Sequence, residues 1–120
     1  MALQLSSQVQ KDHVVIQVGG EIDVATAPEL GDFLRIVTTQ DHPHLVLDFT
    51  EVTLLCAAGL TALLIAQREA RRLEGSLLVV AAHGIVAKVF RVTGLEDCFT
   101  LCPAVTEALT LPLPAPAVEP

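Results

Sequence analysis

Two short apolar runs bracket a long amphipathic stretch in the middle of the chain, and this pattern restricts the fold more than any other feature. Leu45-Val46-Leu47-Asp48-Phe49 is almost continuously apolar, and so is Leu77-Leu78-Val79-Val80-Ala81. A strand without polar alternation has to be covered on both faces, which places both runs in the interior of a sheet. Between them, a helix running to about residue 73 carries Leu60, Leu63, Leu64, Ala70 and Leu73 inward and Arg68, Glu69, Arg71 and Arg72 outward. Gly75 is a natural stop. Strand, helix and strand in that order predict two parallel strands joined by a right-handed crossover.

The flanking segments extend the unit. Leu3, Leu5, Ser7 and Val9 alternate with polar residues, so residues 2–9 read as a strand. Val14 to Val18 is a second strand, ended by Gly19-Gly20, and the polar Gln10-Lys11-Asp12-His13 between them predicts a hairpin. Thr26-Ala27-Pro28-Glu29 fits a capping box with Thr26 as N-cap. Leu30, Phe33, Leu34 and Val37 follow as the core stripe of a first helix. Ile85, Val86, Val89, Phe90 and Val92 predict a short third helix closed by Gly94. A last strand is expected within residues 95–101 and a last helix over 103–111. The proline-rich residues 112–120 cannot continue a helix and are expected to be an extended or disordered tail. The order β-β-α-β-α-β-α-β-α thus describes one α/β domain over residues 1–111. Its single mixed sheet has about five strands, a leading hairpin followed by parallel strands, with about four helices.

A chain of 120 residues with 52% hydrophobic content can build a core without disulfides. No apolar run approaches the roughly 20 residues that span a bilayer. Met1-Ala2-Leu3-Gln4 lacks the basic segment of a signal peptide, so the expected location is the cytoplasm, without membrane insertion. The net charge of −7 argues against a nucleic-acid surface. Cys56, Cys98 and Cys102 are an odd count without metal-ligand spacing and are expected to be reduced. His13, His42, His44 and His83 are scattered, so no metal site is expected. No nucleophile–base pairing, glycine-rich phosphate loop or paired carboxylate points to an enzyme, and no cofactor is implied.

One junction holds more information than the rest. Leu54-Leu55-Cys56-Ala57-Ala58-Gly59-Leu60 leads from a strand through a short loop into the second helix. A helix start exposes unpaired N–H groups and partial positive charge, a setting suited to a phosphoryl group or an acidic partner side chain. Yet Ala57, Ala58 and Gly59 carry no hydroxyl. Thr61, one turn on, has one, and its ordinary reading is a helix-face threonine. Cys56 is the one reactive group, because a thiol at a helix start can have increased reactivity; its plainer reading is a small buried residue at a tight junction.

Three segments in order resemble the STAS domain of bacterial anti-sigma factor antagonists. They are Gly20-Glu21-Ile22-Asp23 with Thr26-Ala27-Pro28-Glu29-Leu30, then Leu47-Asp48-Phe49-Thr50-Glu51-Val52-Thr53-Leu54-Leu55-Cys56-Ala57-Ala58-Gly59-Leu60, then Val86-Ala87-Lys88-Val89-Phe90-Arg91-Val92-Thr93-Gly94-Leu95. The resemblance implies the STAS fold over roughly residues 3–110. In a typical member the second helix begins with Asp-Ser-Ser/Thr-Gly-Leu, and the hydroxyl before the glycine is phosphorylated. The unphosphorylated form binds an anti-sigma factor, usually an ATP-dependent serine kinase, and frees a sigma factor. Here Cys56 stands for the aspartate and Ala58 for the phosphoacceptor. The resemblance therefore implies an antagonist without the usual switch, with a partner surface of Glu21, Asp23, Cys56, Ala57, Ala58, Gly59 and Leu60. Redox control through Cys56 is a further expectation. An accessory subunit of a lipid-transport ABC system, or a scaffold in a signalling assembly, is the alternative. Nucleotide binding and a homodimer are left open.

Overall fold

The computed structural model describes residues 3–80 and 84–111. Residues 1–2 and Ala81, His83 and the tail 112–120, on which sequence expectations fell, lie outside the described residues. The elements are β1 (Gln4–Gln10), β2 (His13–Ile22), α1 (Ala27–Val37), β3 (His44–Leu55), α2 (Ala57–Arg72), β4 (Ser76–Val80), α3 (Gly84–Val92), β5 (Thr100–Cys102) and α4 (Val105–Thr110). The five strands form one sheet in chain order, with β1 and β2 antiparallel and the remaining pairs parallel. This is the expected order of elements.

Period-two alternation in the strands divides the interior into two cores. Ile16, Val18, Leu45, Leu47, Phe49 and Val79 face α1, α2 and α3, and form the larger core with Leu30, Leu34, Leu63 and Phe90. The opposite face carries Val15, Val46 and Val80, covered by Cys102 and by Ala108 of the short α4. Burial pushes the Cys102 thiol pKa up, so it stays protonated and packs as a small apolar group. All three cysteines are free.

The structure departs from the sequence expectations at three element ends. Gly19-Gly20 does not end β2. The register with β3 shifts between Gln17 and Gly19 and again between Gly20 and Glu21, and Gly20 adopts φ +100°. The glycines absorb these bulges, and the strand continues to Ile22. β3 likewise runs on to Leu55, because Glu21 and Ile22 supply it with partners in Leu54 and Leu55. The last strand, Thr100–Cys102, falls at the end of the expected window and beyond it.

Two local signals are met in a different way. Thr26 is the N-cap of α1, but its backbone is helical and its side chain makes no cap hydrogen bond, so there is no capping box. The hydroxyl serves the preceding turn instead. At the end of α2, Glu74 rather than Gly75 takes the left-handed position, with φ 62°. The Glu74 N–H donates to Arg71 O and the Gly75 N–H to Ala70 O, at 2.9 and 2.7 Å, which closes the helix in a Schellman arrangement.

The parallel strands all begin at one pole of the domain. There His44 Nδ1 lies 2.9 Å from Ser76 Oγ, and the His13 ring meets the His44 ring edge-on at 6.1 Å. His13 is buried and its Nδ1 has no hydrogen-bond partner among the described residues. Burial, reinforced by the neighbouring His44, holds the His13 pKa below its ordinary 6.5. The unfolded chain takes up this proton near 6.5 and the folded chain only at lower pH. Stability is therefore greatest above 6.5 and is lost as pH falls from there towards the folded value. Urea denaturation should show a lower midpoint at about pH 5.5 than at about pH 7.5, and His13→Leu should flatten that difference. An unchanged pH dependence in the variant would assign the effect to other groups.

Candidate functional site

At the opposite pole, β2 and β3 end side by side and deliver the junction singled out in the sequence. β3 stops at Leu55 and α2 begins at Ala57, so the expected short loop is the single residue Cys56. Its extended backbone turns the chain, and its N–H donates to Ile22 O at 3.0 Å. That bond fixes the start of α2 beside the end of β2. Asp23 follows Ile22 directly, so the two segments read as candidates from separate parts of the sequence meet here.

The turn after Ile22 is held by its own side chains. Asp23 Oδ1 accepts the N–H groups of Ala25 and Thr26 at 3.0 and 2.9 Å. The Thr26 hydroxyl donates to Glu21 O at 2.7 Å and accepts from the Asp23 N–H at 2.9 Å. The bond from the Thr26 N–H holds the Asp23 carboxyl below the usual carboxylate range, so its negative charge persists at neutral pH. Glu21 is half-buried and contributes its backbone to this turn.

The first turn of α2 separates into exposed and interior positions. Ala57 is exposed, Ala58 is half-buried against the main core, and Cys56 is half-buried. Gly59 and Leu60 are buried. Their expected place on a contact surface is corrected accordingly: Leu60 packs into the core, and Gly59 sets how closely α2 can approach β2. A Cβ at position 59 would lie 2.5 Å from Ile22 Cγ2 and 2.8 Å from Leu55 Cδ1. Glycine is required there for space, not for an unusual backbone angle. Cys56 makes no side-chain cap bond and α2 has no acidic residue in its first turn, so the helix start keeps its partial positive charge. Thr61 is exposed, and its hydroxyl donates to Ala57 O at 3.1 Å, the ordinary bond of a helix-face threonine.

From this end a groove of about 870 Å³ runs between α1 and α2. Ala58 and Val24 lie at its mouth, Ala62 and Ile65 along one wall, and Gly31 along the other. A Cβ on Gly31 would reach ordinary contact, 3.8 Å, with the Ala62 Cβ, so small residues keep the two helices close. Val24 is 77% exposed and Ile65 57% exposed. Neither was singled out in the sequence. The available signal was an apolar residue off the core stripe of α2 at Ile65, and one stranded in a polar turn at Val24. Among the described residues no group of three or more histidine, cysteine or acidic side chains could hold a metal ion. No helix among them is long and apolar enough to cross a membrane.

Residues 4–108 match the model of the STAS domain. The chain belongs to the STAS-domain family. Among curated proteins, the STAS chain is 31% identical over 86 residues to the anti-sigma-B factor antagonist of Listeria monocytogenes, covering 72% of this chain and 75% of that protein. Its fold superposes on the crystal structure of an anti-sigma factor antagonist from Mycobacterium paratuberculosis with a TM-score of 0.80 and 29% identity, over 91% of this chain and 92% of the other. It also shares its fold with the Bacillus cell fate determinant SpoIIAA in the phosphorylated form, with a TM-score of 0.66 and 22% identity over 90% and 96% of the two chains. The mixed five-stranded sheet and four helices are the STAS fold expected from the sequence.

Proposed function

We propose that this STAS domain is an anti-sigma factor antagonist whose docking surface is the start of α2, the Asp23 turn and the mouth of the α1–α2 groove. Its partner is an anti-sigma factor of the serine-kinase type, and its effect is on sigma-dependent transcription. One observation carries the reading: Ala57 and Ala58 open a helix whose N-cap, Cys56, is hydrogen-bonded to Ile22, next to the Asp23 turn and beside a groove lined by Val24, Ala58, Ala62 and Ile65 together with the charged Asp32, Arg35, Arg68 and Glu69. A partner backbone can approach such a surface closely. Glu21 and Cys56 frame it, and Gly59 and Leu60 support it from beneath. Its relatives carry the name of antagonists of an anti-sigma factor.

Ala58 has no hydroxyl, so the surface stays in the state of an unphosphorylated acceptor. The negative charge of a phosphate is the disruptive element at a closely docked surface. Asp23 already supplies one negative charge here, so a second would add repulsion. An oxidised Cys56 would place a polar group at the same spot, which is the redox form of this reading.

Affinity capture of the kinase-fold anti-sigma factor from the host, followed by titration calorimetry, tests the proposal. Ala58→Asp should weaken binding at least about tenfold, equivalent to roughly 1.4 kcal/mol. Incubation of the parent protein with that kinase and ATP should leave its mass unchanged. Undiminished affinity in Ala58→Asp would put the interface elsewhere on the domain.

A further inference from the structure

The two edges of the sheet are built differently. β5 is three residues long, and Pro103 follows it immediately. Shortness and proline are both ways of keeping another strand from adding to an edge. β1 has neither. It is seven residues, Gln-Leu-Ser-Ser-Gln-Val-Gln, without a charge or a proline, and its register with β2 contains no bulge. Gln4, Ser6, Ser7, Gln8 and Val9 are exposed. Among the described residues, an edge of this length without those devices offers a row of backbone donors and acceptors to a further strand.

The sequence of β1 identifies that strand. Written antiparallel to itself about Ser7, it places Gln4 opposite Gln10, Leu5 opposite Val9, Ser6 opposite Gln8 and Ser7 opposite Ser7. Polar residues meet polar ones, and the apolar pair meets itself on one face. The hydrogen-bond phase agrees. The hairpin turn of two residues, Lys11-Asp12, makes Gln10 and His13 a hydrogen-bonded pair. Alternation from there turns the backbone groups of Gln8, Ser6 and Gln4 towards β2 and those of Val9, Ser7 and Leu5 outward. In the self-paired register these outward groups face one another, Leu5 with Val9 and Ser7 with Ser7.

We infer that β1 pairs antiparallel with β1 of a second copy, joining two sheets into one of ten strands about a two-fold axis through Ser7. Leu5 packs against the main core. In the pair it lies opposite the partner's Val9, which is 55% exposed in the single chain and becomes covered. Each copy carries a net charge of −7, which opposes association, but none of that charge lies along the seam. A seam of one strand from each copy buries less than the roughly 1,200 Å² of a standard interface, so the dimer is weak and concentration-dependent.

Sedimentation velocity from about 10 µM to about 1 mM tests the inference on the full chain, over the range in which a weak interface fills. The parent protein should shift from monomer to dimer. Ser7→Lys sets two like charges directly opposite one another and should weaken dimerisation at least tenfold. Ser7→Pro removes the central outward N–H from both copies and should do the same. Ser7 is exposed, and circular dichroism would verify that the variants fold. Amide resonances of Leu5, Ser7 and Val9 should shift with concentration in the parent protein alone. A chain that stays monomeric to about 1 mM would overturn the inference. A dimer insensitive to both variants, or concentration-dependent shifts centred on the α1–α2 groove, would overturn it as well.

Discussion

Gly75→Ala should lower the stability of the domain by about 3 kcal/mol or more. A Cβ at position 75 would lie 2.0 Å from Pro43 O, 2.5 Å from the Pro43 carbonyl carbon and 2.4 Å from Pro43 Cβ. These atoms are not the ends of a flexible side chain. Pro43 O accepts the Ser76 N–H at 3.1 Å, just where β3 and β4 start to pair, and Gly75 itself is tied to Ala70 O by the helix-closing bond. Relief would require the link between α2 and β4 to move away from β3. Urea denaturation followed by circular dichroism measures the loss. Gly94→Ala is the control: that position has φ +74° and nothing within 4 Å, so it meets only the left-handed penalty of about 1 kcal/mol. Equal losses in the two variants would contradict the steric account.

Gly59→Ala should cost about 2 kcal/mol, and it should do so at the Cys56 end of the domain. The new methyl would overlap Ile22 Cγ2 and Leu55 Cδ1, both attached to buried residues at the ends of β2 and β3. The first turn of α2 would have to lift away from β2, carrying Ala57 and Ala58 with it. The conflict with Ile22 lies at its β-branch, which leucine lacks. Ile22→Leu should therefore offset part of the Gly59→Ala loss, giving a double-mutant coupling of about 1 kcal/mol measured by denaturation. Additive losses would show that Ile22 is not what excludes a side chain at position 59.

The family and the order of elements were legible in the sequence, and the resemblance placed Asp23 on one proposed surface with Cys56, whose N–H donates to the O of Ile22, the neighbour of Asp23. Strand interiors such as Leu45–Phe49 are readable because apolar continuity is a local property. Their ends were not readable. Gly19-Gly20 has the composition of a stop, and only the presence of β3 alongside turns it into a bulge within a longer strand. Thr26 and Glu29 have the spacing of a capping box. The Thr26 hydroxyl is taken by Glu21 O and the Asp23 N–H, partners that exist only once β2 has reached Ile22. Gly75 was read as a helix stop for its backbone freedom, whereas it is glycine because Pro43, over thirty residues earlier, occupies the space of a side chain. The candidate surface shows the same limit. A motif marks Ala57 to Leu60 as a group, but the turn of the helix decides that Ala57 faces outward and Leu60 inward.

β3 has a consequence for how this domain can vary. Twelve residues at the rise of a strand span about 36 Å, close to the 40 Å long axis of the domain. One end of this strand lies in the pole of His13, His44, Ser76 and the Gly75–Pro43 crossing, and the other runs into Cys56. Substitutions at the two poles share no side-chain neighbours, so their free energies should sum. Residues around Cys56 and Ala58 can therefore change without disturbing the opposite pole, the part of the molecule that tolerates least revision.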